Sequence, residues 1–298
     1  MNTNRLLLAC LLAAGVPAWC DQRFQAEGLV LDVDKVQQTV TISHDSIPGF
    51  MDAMVMPFHA REPKEIENLR PGTMVGFTLV VGKTASYISG ITVHPYHSAE
   101  VDPQQNVRLK ALDQAMHAKS GAAPEIEPGK HVPDFTLIDQ NNRPTQLSGF
   151  KGQVVAITFI YTRCPLPDYC LRMTNNFSRL ARRFKDRLGR DLTLLSITFD
   201  PEHDRPDVLL RYSATWKPDA NGWHFLTGTL SAVKQVCGMF GMNFWQDEGL
   251  LTHSLHTLVI DREGKLVANL EGNHFSAGQL GDLVEATMKQ GTKAIPAK

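Results

Sequence analysis

The stretch that most narrows what this chain folds into is residues 154–173, VVAITFIYTRCPLPDYCLRM. Its first eight residues are mostly β-branched and aromatic, the composition and length of a strand buried on both faces. Such a strand delivers Cys164 just past its end. Pro165, Pro167 and Asp168 then make a turn, after which Met173, Phe177, Leu180, Phe184 and Leu188 recur at helical spacing. Cys170 is therefore expected in or just before a first helical turn, where the partial positive charge of the helix terminus favours a thiolate. Two thiols at a strand-to-helix junction point to redox chemistry or to a soft-metal site.

The chain has 298 residues, 43% hydrophobic and 20% charged, enough for two domains with their own cores. A formal net charge of -1 provides no basic field, so nucleic acid is not an expected partner. Residues 1–20 read as a signal peptide: Arg5 supplies the positive end, and 6–16 form an apolar run too short to span a bilayer. Cleavage is expected after Ala18 or Cys20, the alternative being lipidation at Cys10 or Cys20. The mature protein is thus expected in an oxidising compartment, the periplasm, with membrane association possible but not evident; there Cys164 and Cys170 form a disulfide unless something reduces them.

Residues 24–94 carry strand-like alternation. GLVLDVDKVQQTVTISH reads as a hairpin, and MVMPFHA, TMVGFTLVV and ASYISGITV supply further short strands. Five strands in so short a stretch predict a small closed OB-like barrel, because closure removes exposed edges. Within it stand His44 and then Met51, Met54 and Met56. Met54 and Met56 alternate along a strand and so share a face. Thioethers with an imidazole select Cu(I) or Ag(I) over hard ions, although methionines also fill irregular cores. The segment resembles the CusF-like copper-binding domain, a five-stranded barrel whose motif is a His, an aromatic and M-x-M, here His44, Met54 and Met56. Met51 stands where well-known members of that family carry a tryptophan over the metal, and ligation, capping and packing are all open to it.

Residues 95–128 read as a linker, with Leu109, Leu112 and Met116 on one face of a short helix and with His94, His97 and His117 around it as solvated side chains. The domain over 129–290 opens with a strand, a turn at Asn141 and Asn142, and a return. Beyond the thiol strand and helix follow a buried strand ending at Asp200, a helix over 206–216, the WHFLTG strand and a helix over 230–240. A hairpin over 255–270, a last helix over 275–288 and a short tail, 291–298, complete it. Alternating β and α, then a hairpin and a helix, is the thioredoxin-like plan, a three-layer α/β domain with its thiols after the first central strand.

Five residues separate Cys164 from Cys170, where thioredoxin-type oxidoreductases have two. A disulfide still requires only that the Cα atoms come within ~7 Å. Where those enzymes place a cis-proline this chain reads THSLHTLVID, putting His253 at the head of the 255–260 strand. Two thiolates and an imidazole suit Cu(I) and tolerate Cu(II) or Zn(II). His256, an odd number of positions further on, is expected on the opposite face. Cys237, amid Val233, Val236 and Phe240, reads as a core thiol; Asp200, His203 and Asp168 read first as helix-capping or loop residues. His224 and His274 carry no assignment.

The motifs GKHVPDFTL, FIYTRCPLPDYC, SITFDPEHDRP, FLTG and HSLHTLVIDREGKLV resemble the Sco family of copper chaperones. That resemblance implies copper held by Cys164, Cys170 and His253, and delivery toward the copper centre of cytochrome oxidase. The family spacing is C-x-x-x-C, two residues shorter than here. The partners implied are a cytochrome c oxidase subunit or another copper acceptor, and a thiol reductant. Two other functions are open to the same residues: a thiol-disulfide oxidoreductase acting on copper-site cysteines, and a copper-sequestering protein.

Overall fold

The alternation in the first part of the chain resolves into five strands, β1 (Gln22–Asp34), β2 (Thr39–His44), β3 (Met54–His59), β4 (Met74–Val81) and β5 (Ser86–Val93). This is a computed structural model describing residues 21–94, 125–216, 222–247 and 250–290. The predicted leader, most of the linker with its helix, His97, His117 and the tail lie outside the described residues; His94 is exposed. The hairpin turn between β1 and β2 is closed by Asp34, whose carboxylate accepts from the backbone of Val36 and Gln37.

The expected closed barrel is not what forms. The strands make one antiparallel sheet in the order β3-β2-β1-β4-β5, and its two ends meet only at a single parallel bridge, Ala60–Ile88. β1 is 13 residues long and pairs with β4 along its first part and β2 along its second; bulges at Val30/Asp32 and Gly76/Thr78 curl the sheet. Short β3 does not carry a ladder across to β5. The free edges are blunted by other means. Pro57 sits in edge strand β3, and the Glu65 carboxylate accepts from the backbone of Gly90 at 2.6 Å on β5.

The second unit runs through β6 (Thr136–Asp139), β7 (Pro144–Gln146), β8 (Val154–Ile160), helix α1 (Arg172–Arg183), β9 (Leu192–Thr198), α2 (Pro206–Trp216) and β10 (Trp223–Thr227). It continues with α3 (Leu230–Gly238), β11 (Phe244–Asp247), β12 (Leu250–His253), β13 (His256–Ile260), β14 (Leu266–Glu271) and α4 (Ala277–Gln290). Seven strands form a mixed sheet, β14-β13-β8-β9-β10-β6-β7, with β8, β9 and β10 parallel at its centre. Every residue of β8 and β9 is buried, as continuous apolar runs require between two helical layers. Met173, Phe177 and Leu180 of α1 are the apolar stripe that packs on them. This is the thioredoxin-like arrangement the pattern predicted. One element escaped it: β11 and β12 form a separate two-stranded ribbon, and His253 ends β12 instead of heading the next strand.

The two units share a core. Leu29, Leu31 and Met74 of the first sheet join the apolar cluster of the second unit. Gly72 permits the approach, since it has φ +87° and a Cβ there would stand 2.5 Å from that of Ala268. Replacing fully buried Leu29 with Ala is expected to cost about 2–5 kcal/mol, read as a lower urea midpoint.

Candidate metal centre

Past the end of β8 the chain is tied down residue by residue. Thr162 donates its backbone N–H (3.0 Å) and its hydroxyl to the carboxylate of Asp204, and Thr198 donates a third bond to the same group. The Arg163 guanidinium pairs with Asp200 at 2.7 Å. Asp204 is wholly buried, and burial raises its pKa against the pull of these donors. Cys164 thus leaves a loop anchored on both preceding residues.

The longer spacing between the cysteines is absorbed by a wide turn. Pro167–Leu171 is a kinked turn whose helical geometry is broken at Tyr169 (φ -103°, ψ -109°), before α1 begins at Arg172. The kink at Tyr169 takes up the extra residues, so that Cys170 turns back toward Cys164 instead of being carried past. Asn273 steadies the turn by donating to the carbonyl of Asp168 at 2.8 Å. The Asp168 side chain caps neither this turn nor α1, contrary to its expected role.

Cys164, Cys170 and His253 thereby bring a sulfur, a sulfur and a ring nitrogen to within 4.8 Å of one another. The His253 Nδ1 lies 2.8 Å from the carbonyl oxygen of Ser254, an atom that only accepts, so Nδ1 carries the proton and Nε2 keeps its lone pair. Three rings enclose the imidazole: Phe199 at 4.6 Å, and Tyr161 and Tyr169 edge-on at 5.9 Å each. Ring contacts worth roughly 0.5–1.5 kcal/mol apiece outweigh a side-chain ordering cost of about 1 kcal/mol, so the imidazole is held in one orientation.

The thiols are unequal. Cys170 is buried and Cys164 partly open, and they are not bonded to each other. A hydrogen bond from the Cys170 thiol, supported by the Cys170 backbone, draws the Cys164 thiol down to about 4 against the opposing effect of burial. Cys170 is pushed up, first by that same bond, in which its thiol is the donor, and then by burial. Cys164 is accordingly the thiolate of the resting pair.

His256 stays out of the centre, for a reason other than strand parity. Its Nδ1 is bound to Asn269 Oδ1 (2.9 Å) and its Nε2 to the Ser254 hydroxyl (3.1 Å), so both ring nitrogens are committed. Cys237 is a buried core thiol, its pKa raised by desolvation. Asp200 braces Arg163, with His203 3.5 Å away. Sequence reasoning missed Thr162, Asp204 and Asn273. The D-x-x-x-D spacing of Asp200 and Asp204 was visible, whereas nothing local to Asn273 marks it as a neighbour of the cysteine turn.

The first sheet holds a second constellation. His44 lies directly opposite Met54, and Ile42 opposite Met56, on the face that also carries Val40 and Phe58. The His44 Nδ1 meets the carbonyl of Asp45 at 2.7 Å, again leaving Nε2 as the free lone pair. That Nε2 is buried and has no hydrogen-bond partner. Such an orphan costs about 1–3 kcal/mol, a cost removed when a cation takes the lone pair. Met54 is 47% exposed, while Met51 and Met56 pack partly against the sheet's core. Soft donors beside an unsatisfied imidazole fit a Cu(I)-type ion.

A thioredoxin-like unit with a dithiol–imidazole cluster past its central strand, docked to a β-sheet unit with a histidine among methionines, defines a class of two-centre proteins with soft donors. The family model described as SCO1/SenC matches residues 123–289, and that of the copper binding periplasmic protein CusF matches residues 23–93. The chain belongs to the SCO1/SenC family and carries a CusF-like segment ahead of its family domain. It is 29% identical over 141 residues to the protein sco1 of Schizosaccharomyces pombe, covering 45% of this chain and 52% of that one. To the SCO1 protein homolog of Bacillus subtilis it is 32% identical over 104 residues, covering 35% and 49%. The chain spans about half the length of these two curated relatives. A solved structure of yeast Sco1 with copper bound is 26% identical, with a TM-score of 0.46, covering 58% of this chain and 92% of that one.

With its folded-state value near 4, Cys164 stays ionised from pH 5 to 8 and is protonated only as the pH falls through that value. Iodoacetamide labelling of the reduced protein should therefore be fast at Cys164 and nearly level between pH 6 and 8, whereas Cys170 labels far more slowly. Mass spectrometry of the labelled peptides reads both rates.

Proposed function

We propose that this chain is an exported, periplasmic copper chaperone, in which His44, Met54 and Met56 of the first sheet capture Cu(I), with Met51 beside them. Cys164, Cys170 and His253 then hold the metal and hand it on. The convergence of two sulfurs and one ring nitrogen within 4.8 Å carries this reading. Three such donors form a small, soft, anionic set that suits Cu(I), and also Cu(II) when a further ligand enters. Copper here is cargo. The partly open Cys164 is the sulfur from which an acceptor draws the ion, while the buried Cys170 and the ring-clamped His253 retain it until transfer. Membership of the SCO1/SenC family supports placing that acceptor in cytochrome c oxidase copper-centre assembly, with a thiol reductant keeping the pair reduced. No described helix is long and apolar enough to cross a membrane.

Docking of the two units supports a relay, since tethered exchange partners meet at high effective concentration. A second reading is favoured by the unequal thiols. The Cys164 thiolate attacks a partner's disulfide, forming a mixed disulfide and expelling one partner thiolate. Cys170, losing its proton, then attacks Cys164, so that the partner leaves reduced and this chain is left oxidised. That reaction needs the cysteine pair and not His253.

An anaerobic Cu(I) titration of the reduced mature protein separates the readings. The wild type should take up two ions; Cys164→Ser should lose one, and Met54→Leu should weaken the other at least tenfold. His253→Ala should weaken binding at the cysteine pair while leaving disulfide reduction intact, whereas His256→Asn should bind copper as the wild type does. Unchanged Cu(I) affinity in His253→Ala would leave only dithiol exchange. For the relay, copper loaded at the first sheet should appear at the cysteine pair of the same chain at a rate independent of protein concentration. A rate that scales with concentration would refute internal transfer.

A further inference from the structure

Helix α4 of the second unit grips the chain on both sides of His44. Ser43, buried, donates its hydroxyl to the Asp282 carboxylate at 2.6 Å. The side-chain amide of Gln279, also buried, lies 3.4 Å from both the Ser43 carbonyl oxygen and an Asp45 carboxylate oxygen. Asp282 is held in turn by Arg183 of α1 at 2.7 Å, and Gln279 by reciprocal bonds with Ser276 at 2.8 and 3.1 Å. Alternation along β2 turns Ser43 outward to α4 and His44 inward to the face bearing Met54 and Met56. From the other side β1 presses close: a Cβ on Gly28 would stand 2.6 Å from Ile42 and 2.8 Å from the His44 Cα.

We infer that α4 is a working part of the copper site in the other unit, with Gln279 and Asp282 as positioning residues for His44. The Asp45 carbonyl fixes the His44 tautomer only while the backbone on either side of the ring is held still; the sheet holds it along the strand, and α4 holds it from the outer face. Without that grip the residue order of β2 is unchanged, but the ring is no longer fixed with its proton on Nδ1 and its Nε2 lone pair free. The same stretch, 273–282, begins at Asn273, which braces the turn carrying Cys170, so one short segment holds the surroundings of both centres. The inference rests on the reading that His44 and the methionines hold Cu(I).

The test uses the full-length reduced chain with Cys164→Ser and Cys170→Ser, so that Cu(I) titrated against a competing chelator reports the first sheet alone. Adding Asp282→Ala or Ser43→Ala should weaken Cu(I) binding about tenfold, at the lower end of what loss of a ligand's supporting bond does. Asp282→Asn, which keeps an acceptor for the Ser43 hydroxyl, should recover most of it. The Ser43→Ala/Asp282→Ala double variant should lose no more than either single one, a coupling that general unfolding would not produce. In the metal-free proteins, nitrogen NMR should find His44 protonated at Nδ1 in the parent and distributed between tautomers in Asp282→Ala. Parental affinity and tautomer in the alanine variants would overturn the role of α4. If the parent binds no Cu(I), the copper reading of His44 fails, and the tautomer measurement still decides whether α4 fixes the ring.

Discussion

Both centres depend on one small interaction, the hydrogen bond from a histidine Nδ1–H to the carbonyl of the next residue. At His253 the acceptor is Ser254 and at His44 it is Asp45, at 2.8 and 2.7 Å. A neutral imidazole has one lone pair, and the bond decides that it sits on Nε2. Each ring is then held by its surroundings, three aromatic rings in one case and a strand gripped by a helix in the other. Two unrelated folds thus reach the same local solution, an imidazole with its Nε2 lone pair open and a tautomer that would need no reorganisation to accept a soft cation.

The cysteine centre adds a second constraint. A thiolate buried next to another would repel it, and the opposed shifts of the two thiols, Cys164 down and Cys170 up, keep one of them protonated. A cation held by both sulfurs would supply the charge compensation that lets both ionise. The anchoring carboxylates grip the two residues just before Cys164, Asp204 holding Thr162 and Asp200 holding Arg163, so they fix the loop without being ligands themselves.

Much of this was readable from local pattern. The buried run of β8, the cysteine at its end and the apolar stripe of α1 are set by composition and period, and they appear where the text places them. The pairing of His253 with the thiols was legible only through the thioredoxin-like plan, and even then His253 sits at the end of a ribbon strand that short, mixed residues did not announce. Closure of the first sheet was wrongly expected because strand count suggests a barrel, whereas closure is decided by whether β3 and β5 can share a ladder. No ladder joins them; the chain just past β3 makes a single bridge, Ala60–Ile88, to β5.

The sequence by itself determined most of the inventory: the strands and helices outside the β11–β12 ribbon, and the soft donors near their ends. Hydrophobic period and turn chemistry are properties of neighbouring residues, so they survive without a fold. Tertiary structure alone decided which donors meet, that His256 is committed to Asn269 and Ser254, that a kinked turn folds Cys170 back, and that α4 lies against β2. Those outcomes depend on contacts between residues far apart in the chain, such as Ser43 with Asp282, and no local rule encodes the distance between them.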